Sequence, residues 1–478
     1  MVPSPSPVLL WFRRDLRVAD NRALWAANQL AREAGGSVLP VFVLDPRLGA
    51  TSGPNRLAFL YDALQSFRSA GVPLIIRLGD PVGEIPAIAA ELGAQTVIAA
   101  ADYGPYGRTR DRAVSEALQA DNRTLQFEDA PYAVPPGTVR KGDGTPFKVF
   151  TPFKRVWETT ARDMVPGNAV DPHLIPWWRD TVSEAIPARP AGASERLPAA
   201  DEAAAHQRLH HFLRCHLADY DALRNNPGAD ATSRLSADLK FGLLHPRQIL
   251  SFLRVGGTGP EVFRSELCWR EFYADVLWHQ PDTARHALVG AMEHMEVDEG
   301  ALADERFDAW CLGRTGYPFI DAGMRQLAAE GWMHNRVRMA VASFLVKDLH
   351  LDWRRGAAWF MRHLVDGDLA SNQHGWQWTA GTGTDASPYF RVFNPVSQGK
   401  KFDPDGIYVR RYVPELAGLA NKFLHEPWLA DAPQDDLFDA VGAATRSSYP
   451  PPIVEHAAER IESLRRYSAV RAGAATTD

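Results

Sequence analysis

Between Gly331 and Asp405 the chain reads GWMHNRVRM (331–339), DWRRG (352–356), DGDLASNQHGWQW (366–378) and PYFRVFNPVSQGKKFD (388–403). Tryptophan recurs at Trp332, Trp353, Trp359, Trp376 and Trp378, with Asn335, Arg338, Asp366, Asp368, Asn372 and His374 set between them. Tryptophan buries most of its surface, so the neighbouring carboxylates and amides go under cover with it. A buried carboxylate needs a cation or a ligand. The stretch is expected to form the wall of a cofactor pocket.

The period around it is helical. Ile320, Met324 and Leu327 fall at i, i+4 and i+7, and Val337, Val341, Phe344 and Leu345 repeat the pattern. No second set of alternating strands follows Asp201, so residues 201–478 are expected as an all-helical domain, with AGAATTD at the end disordered. Residues 131–200 are rich in Pro and Gly (PYAVPPG, IPARPAGA) and read as a long connector without regular structure. Residues 1–130 alternate differently. Val8–Phe12, Val38–Leu44, Leu74–Ile76 and Thr96–Ala100 are continuous apolar runs separated by helical sequence, such as Asn21–Ala34 and Asn55–Ser69. That pattern predicts a parallel sheet covered on both faces. No GxGxxG follows the first strand, so the dinucleotide fingerprint is absent.

Composition sets bounds. A chain of 478 residues exceeds one ordinary core. No apolar run reaches membrane-span length, and MVPSPSP has neither the basic nor the apolar region of a signal peptide. Cys215, Cys268 and Cys311 are sparse and lack CxxC spacing, which fits a reducing cytoplasm and argues against a metal site. The net charge of −6 does not advertise nucleic acid. Arg391, Lys400, Lys401, Arg410 and Arg411 nevertheless cluster just after the central stretch, either as a solvated face or as a local footprint.

Three constellations could carry chemistry. Thr232–Ser236 (TSRLS) is a helix cap or a phosphate cradle. Glu266, Trp269, Arg270 and Tyr273 share one helix face by spacing. They read as a surface ion pair beside a half-buried ring, or as the platform and hydrogen-bonding edge that an extruded base requires. Asn335, Arg338, Met339 and Ala342 form a stripe opposite Val337 and Val341, and the polar members of an inward stripe need partners.

These motifs, together with WFRRDLRVADNRAL from Trp11 to the Tyr412 region, resemble the photolyase/cryptochrome family. Within it, the closest likeness is to class I photolyases for cyclobutane pyrimidine dimers. The resemblance implies a carbon–carbon lyase that uses blue light and FAD to repair DNA. Its architecture would be an antenna-type α/β domain, a linker and a helical FAD-binding domain. It implies FAD contacts from Tyr220, Thr232, Ser233, Arg234, Leu235, Ser236, Phe263, Arg270, Arg338, Asp366, Gly367 and Asp368, with Asn372 facing flavin N5 and Arg338 paired to Asp366. Glu266, Trp269, Met339 and Asn372 would serve the lesion reaction. Arg224, Asn335, Arg336, Trp378, Arg391, Gln398, Lys400 and Lys401 would join Glu266 and Trp269 in holding UV-damaged DNA. Trp376 and Trp353 match electron-relay positions, whereas the segment MEVDEGALADERF has no Trp where the family's third one stands. Phe42–Asp45 and Asp102–Asp111 resemble a deazaflavin-type antenna pocket more than a folate-type one. A monomer in the cytoplasm is expected. The alternatives within the resemblance are a cryptochrome-type photoreceptor and a photolyase for another lesion, such as the 6-4 product.

Overall fold

The structure is a computed structural model that describes residues 6–162, 164–167, 170–253, 256–384, 390–430 and 449–475. Five parallel strands open the chain: β1 (Val8–Phe12), β2 (Val38–Leu44), β3 (Ile75–Leu78), β4 (Thr96–Ala99) and β5 (Thr124–Phe127). Their spatial order is β3-β2-β1-β4-β5. Val8 pairs with Val38 on one side of β1 and Leu9 with Val97 on the other. β5 is missing from the sequence reading because Thr124, Leu125, Gln126 and Phe127 sit at an exposed edge, where no continuous apolar run is needed.

The central strand explains how the two halves of the molecule meet. VLLWF is buried throughout, and its side chains alternate between faces. Leu9 and Trp11 join the core with Ile85, Ile88 and Val114 on one face. Val8, Leu10 and Phe12 join a larger core on the other. That core runs without a break through Phe59 and Phe241 to Phe263 and Phe272. A second helical core holds Trp310, Val337, Val341, Phe344, Trp353 and Trp376.

The connector is less irregular than its composition suggests. A helix spans Phe150–Arg162 and buries Phe153, Trp157 and Ala161. Buried Glu271 on the Thr258–His279 helix accepts from the backbone N–H groups of Ala133 and Val134 and from the Trp157 indole. The terminal helix covers His456–Ala475, so ordered helix enters the AGAATTD segment; residues 476–478 lie outside the described set. Among the described residues no helix is long and apolar enough to cross a membrane.

A polar knot closes the seam between sheet and helices. Arg247 contacts Asp129 at 2.6 Å and Asp20 at 3.3 Å, and Arg17 contacts Asp129 at 3.2 Å, all with side chains 3% exposed or less. Burial alone would raise the Asp129 carboxyl; Arg247, His245 and Arg17 hold it well below the usual carboxylate range. Arg247→Ala should leave two buried carboxylates short of a cation and cost about 3–5 kcal/mol. Chemical denaturation will measure this; a loss below about 1 kcal/mol would mean that Arg17 alone suffices.

Candidate cofactor and nucleic-acid site

A cavity of about 520 Å³ opens among the helices. One wall is the Thr258–His279 helix, where Glu266, Trp269, Arg270 and Tyr273 all face inward, as their spacing demands. The Asn335–Lys347 helix supplies Asn335, Arg336, Arg338, Met339 and Ala342, while Val337 and Val341 turn to the core. Asp366, Gly367, Asp368, Asn372, Trp376 and Trp378 form a third side, at and within the Leu369–Ala380 helix. Asp368 caps that helix by accepting from the Ser371 N–H at 3.2 Å. Tyr220, Arg224, Ser233, Leu235, Ser236 and Phe263 close the remainder.

The charges match across elements. Arg338 Nη2 donates to Asp366 at 2.8 Å, as expected, and its Nε donates to the Met333 carbonyl at 2.8 Å. Asp368 takes Arg14 at 2.8 Å and Lys240 at 3.7 Å. Burial would raise the Asp368 carboxyl, but Lys240, Arg14 and Arg270 hold it well below its ordinary value. Burial, with Arg14 alongside, brings the Lys240 amine down to about 7. Glu266 pairs with Arg224 at 2.7 Å. Burial pushes its carboxyl up and Arg224 opposes that push. The lining thus carries four arginines (Arg224, Arg270, Arg336, Arg338) and the part-protonated Lys240 against three carboxylates (Glu266, Asp366, Asp368). Among the described residues, the Asp366 Oδ1 and the Trp376 Nε1 are buried without a partner. A cavity with surplus positive charge, unspent polar atoms and aromatic walls fits a flat ligand bearing phosphates. FAD has that form.

Some expected residues stand elsewhere. Thr232 and Arg234 do not line the cavity. Arg234 pairs with Asp230 at 2.8 Å and Glu330 at 3.1 Å, and lies 4.1 Å from the Trp332 ring centre, so its charge is already engaged. Trp353 is buried in the core behind the wall, and Arg391, Gln398, Lys400 and Lys401 lie outside the cavity. Asn372 Nδ2 donates to the Ala357 carbonyl at 3.1 Å, which fixes its side chain on the wall. Trp269 stacks on Phe150 with ring centres 3.6 Å apart, so the connector helix sets the angle of that indole. The sequence reading missed Lys240, Leu239, Ser371 and Thr379 in the lining. For Lys240 a signal existed: it stands four residues after Ser236 on the same short helix. Arg14 had none, because its partner lies 354 residues away.

Aromatic rings lead outward from Trp376. The Trp310 ring centre is 6.1 Å from that of Trp376, and Phe360 touches both. Phe307 lies 5.8 Å beyond Trp310, and half-buried Trp359 is 6.2 Å from Phe307. Tyr317 packs on Phe344 and Trp428, away from this line.

Comparison with known proteins agrees with this arrangement. Residues 8–172 match the family model described as DNA photolyase, and residues 263–469 match that described as the FAD binding domain of DNA photolyase. A deoxyribodipyrimidine photo-lyase of Escherichia coli is 38% identical, over 97% of this chain and 99% of its own length. A crystal structure of a bacterial class III photolyase from Agrobacterium tumefaciens superimposes with TM-score 0.89 at 36% identity, covering 98% of this chain and 99% of that one. A cryptochrome structure from Synechocystis sp. PCC6803 gives TM-score 0.83 at 29% identity, covering 97% and 100%.

The Arg338–Asp366 pair is asymmetric, with side chains 26% and 3% exposed. Removing Asp366 leaves a cation that still reaches the cavity and the Met333 carbonyl, for a loss of about 1–2 kcal/mol. Removing Arg338 leaves the buried carboxylate with only the more distant Arg56 and should cost more, about 3–5 kcal/mol. Thermal unfolding of Asp366→Ala and Arg338→Ala, each with FAD content measured, will check the order; equal losses would refute it.

Proposed function

The chain belongs to the DNA photolyase family, and on that premise we propose that it splits cyclobutane pyrimidine dimers in UV-damaged DNA, using light and FAD. The observation that carries this reading is one cavity with two kinds of lining. Asp366, Asp368, Asn372 and Arg338 suit a phosphate-bearing cofactor, and Glu266, Trp269 and Met339 suit extruded bases. When bound, FAD would supply light-driven one-electron chemistry to the dimer, and Arg338, Asp366, Asp368 and Asn372 would hold it.

The protein holds and orients. Arg338, Lys240 and Arg270 offset the charge of the cofactor phosphates, with Ser233 and Ser236 as hydroxyl partners. Trp269, braced by Phe150, is the stacking platform for the flipped pyrimidines, and Glu266 meets their carbonyl and imide edge. No histidine lines the cavity among the described residues, and the family's 6-4 enzymes carry histidines there, so cyclobutane dimers are the better match. Class I is the narrower reading; a relative described as class III shares the fold, and the chemistry does not depend on the subdivision. We place a second chromophore at the carboxyl ends of the strands, near Asp45, Asp102 and Tyr106, and of deazaflavin type. A cytoplasmic monomer completes the reading.

For the relay, Trp376 is the donor beside the cofactor. By ring contact Trp310 follows it and Trp359 lies beyond toward solvent, the Phe307 ring bridging the two without being oxidised itself, with Trp353 as the sequence-based rival. Illuminating dimer-containing DNA with the reduced holoprotein should restore monomeric pyrimidines, with no repair in the dark; absence of light-dependent repair would refute the function. Trp376→Phe should stop light-driven reduction of the oxidised cofactor yet keep repair after chemical reduction. Slowing by Trp310→Phe, with little effect of Trp353→Phe, would assign the second step to Trp310.

Binding of the DNA backbone is assigned to exposed Arg391, Lys400 and Lys401, with Gln398 beside them. Lys400 already faces Glu426. Lys401→Glu should therefore weaken binding more than Lys400→Glu, equally for damaged and undamaged DNA, and lower the salt slope by about one phosphate contact. Titrations at several salt concentrations will test this; a loss confined to damaged DNA would move Lys401 to the lesion.

A further inference from the structure

Glu266 faces the cavity with one cation at contact distance, Arg224, at 2.7 Å. Among the described residues no other cation lies within ion-pair range of it. Arg336, on the facing helix, is the next to act on it. That guanidinium is held elsewhere, donating to the Asn225 side chain at 3.1 and 2.8 Å and lying 4.4 Å from the Phe402 ring centre. Arg270, one turn along from Glu266, donates to the Pro131 and Leu239 carbonyls. Tyr220, on the short helix that ends at Arg224, is pushed up by burial and stays a neutral phenol. The charge state of Glu266 therefore depends on Arg224.

Arg224 is reachable from the cavity mouth, its guanidinium paired to Glu266 and 5.7 Å from the Tyr220 ring centre. It caps the end of the Tyr220–Leu223 helix with its side chain 24% exposed at the cavity edge. A DNA backbone arriving there offers phosphate oxygens, which take an arginine through paired N–H bonds. Glu266 would then lose its cation as the flipped base excludes water. An ionised carboxylate can only accept hydrogen bonds, yet the pyrimidine edge presents a carbonyl beside an N–H. A neutral carboxyl group matches both, its O–H donating to the carbonyl and its C=O accepting from the N–H. Electron arrival makes the pyrimidine carbonyl more negative and strengthens the preference for a donor.

We propose that Arg224 is a displaceable counter-ion: DNA phosphate draws it from Glu266, and Glu266 takes one proton from solvent and holds the lesion as a neutral acid. This rests on the lesion-binding reading above. The buffer supplies the proton, which returns when product leaves and Arg224 re-pairs. Burial, which already pushes the Glu266 carboxyl up, acts in the same sense.

Calorimetry in the dark tests it, with the FAD-loaded protein, a duplex containing one dimer, and the same duplex undamaged. Titrations in buffers of different ionisation heat count the protons. Wild type should take up about one proton on binding the dimer. Because the linked group is protonated in the complex, affinity is fullest at low pH. It falls by up to about tenfold per unit as pH rises through the carboxyl's value in the complex. Glu266→Gln, a neutral amide that offers both donors and an acceptor, should lose the uptake and the pH slope from the dimer binding it retains. Arg224→Gln should show reduced uptake, the proton being already present. Preferential dimer binding by wild type without uptake, or uptake unchanged in Glu266→Gln, would overturn the proposal. No preference of the wild type for the dimer would overturn the lesion reading together with it.

Discussion

The carboxylate of Asp368, its side chain 14% exposed, cannot stay so far from water without cations, and it draws them from two distant parts of the chain. Arg14 arrives from the loop after the first strand, and Lys240 from the short helix beyond the connector. This one requirement brings the end of the parallel sheet against the cavity wall. Around it, Gly242 has a left-handed backbone (φ +72), and a side chain there would fall 2.0 Å from the Arg14 carbonyl oxygen. The close crossing that delivers Arg14 thus depends on a residue without a Cβ. The Arg247–Asp129–Asp20 knot fastens the same seam a little farther on.

Much of this was legible in the sequence, for a physical reason. Periodicity is local, so the inward stripe of Asn335, Arg338, Met339 and Ala342 and the face of Glu266, Trp269, Arg270 and Tyr273 could be read from spacing and are found lining one cavity. Four strands, the partly buried edge strand β3 among them, were visible as apolar runs, and the exposed edge strand β5 was not. Pairings across long separations were not legible. Nothing near Arg14 points to Asp368, and nothing near Arg234 points to Glu330. Proline content also misled, since a helix can sit inside a proline-rich connector when Phe153 and Trp157 have a core to enter.

Net charge was a poor guide to partners for a related reason. A sum over 478 residues gives −6, whereas the cavity lining alone carries more cations than carboxylates. Electrostatic recognition is settled over a Debye length of about 10 Å at moderate salt, so the placement of charges outweighs their total.

The stacking of Phe150 on Trp269 bears on which insertions and deletions the chain can tolerate. Surface connectors usually absorb changes of length, but this one is pinned at intervals. Glu271 takes the backbone at 133 and 134, Asp275 takes Gly137, and Phe150 lies flat on the indole. Val139 is buried in the core and Phe147 packs against it, so length can vary freely within this stretch only in the exposed turn, from about Arg140 to Thr145. A single residue added between Phe150 and Phe153 would turn the helix by about 100°. Either the ring would leave the indole or Phe153 and Trp157 would leave the core. Natural variation in this connector should therefore come as whole loops inserted before Phe150, with the phase of the helix kept.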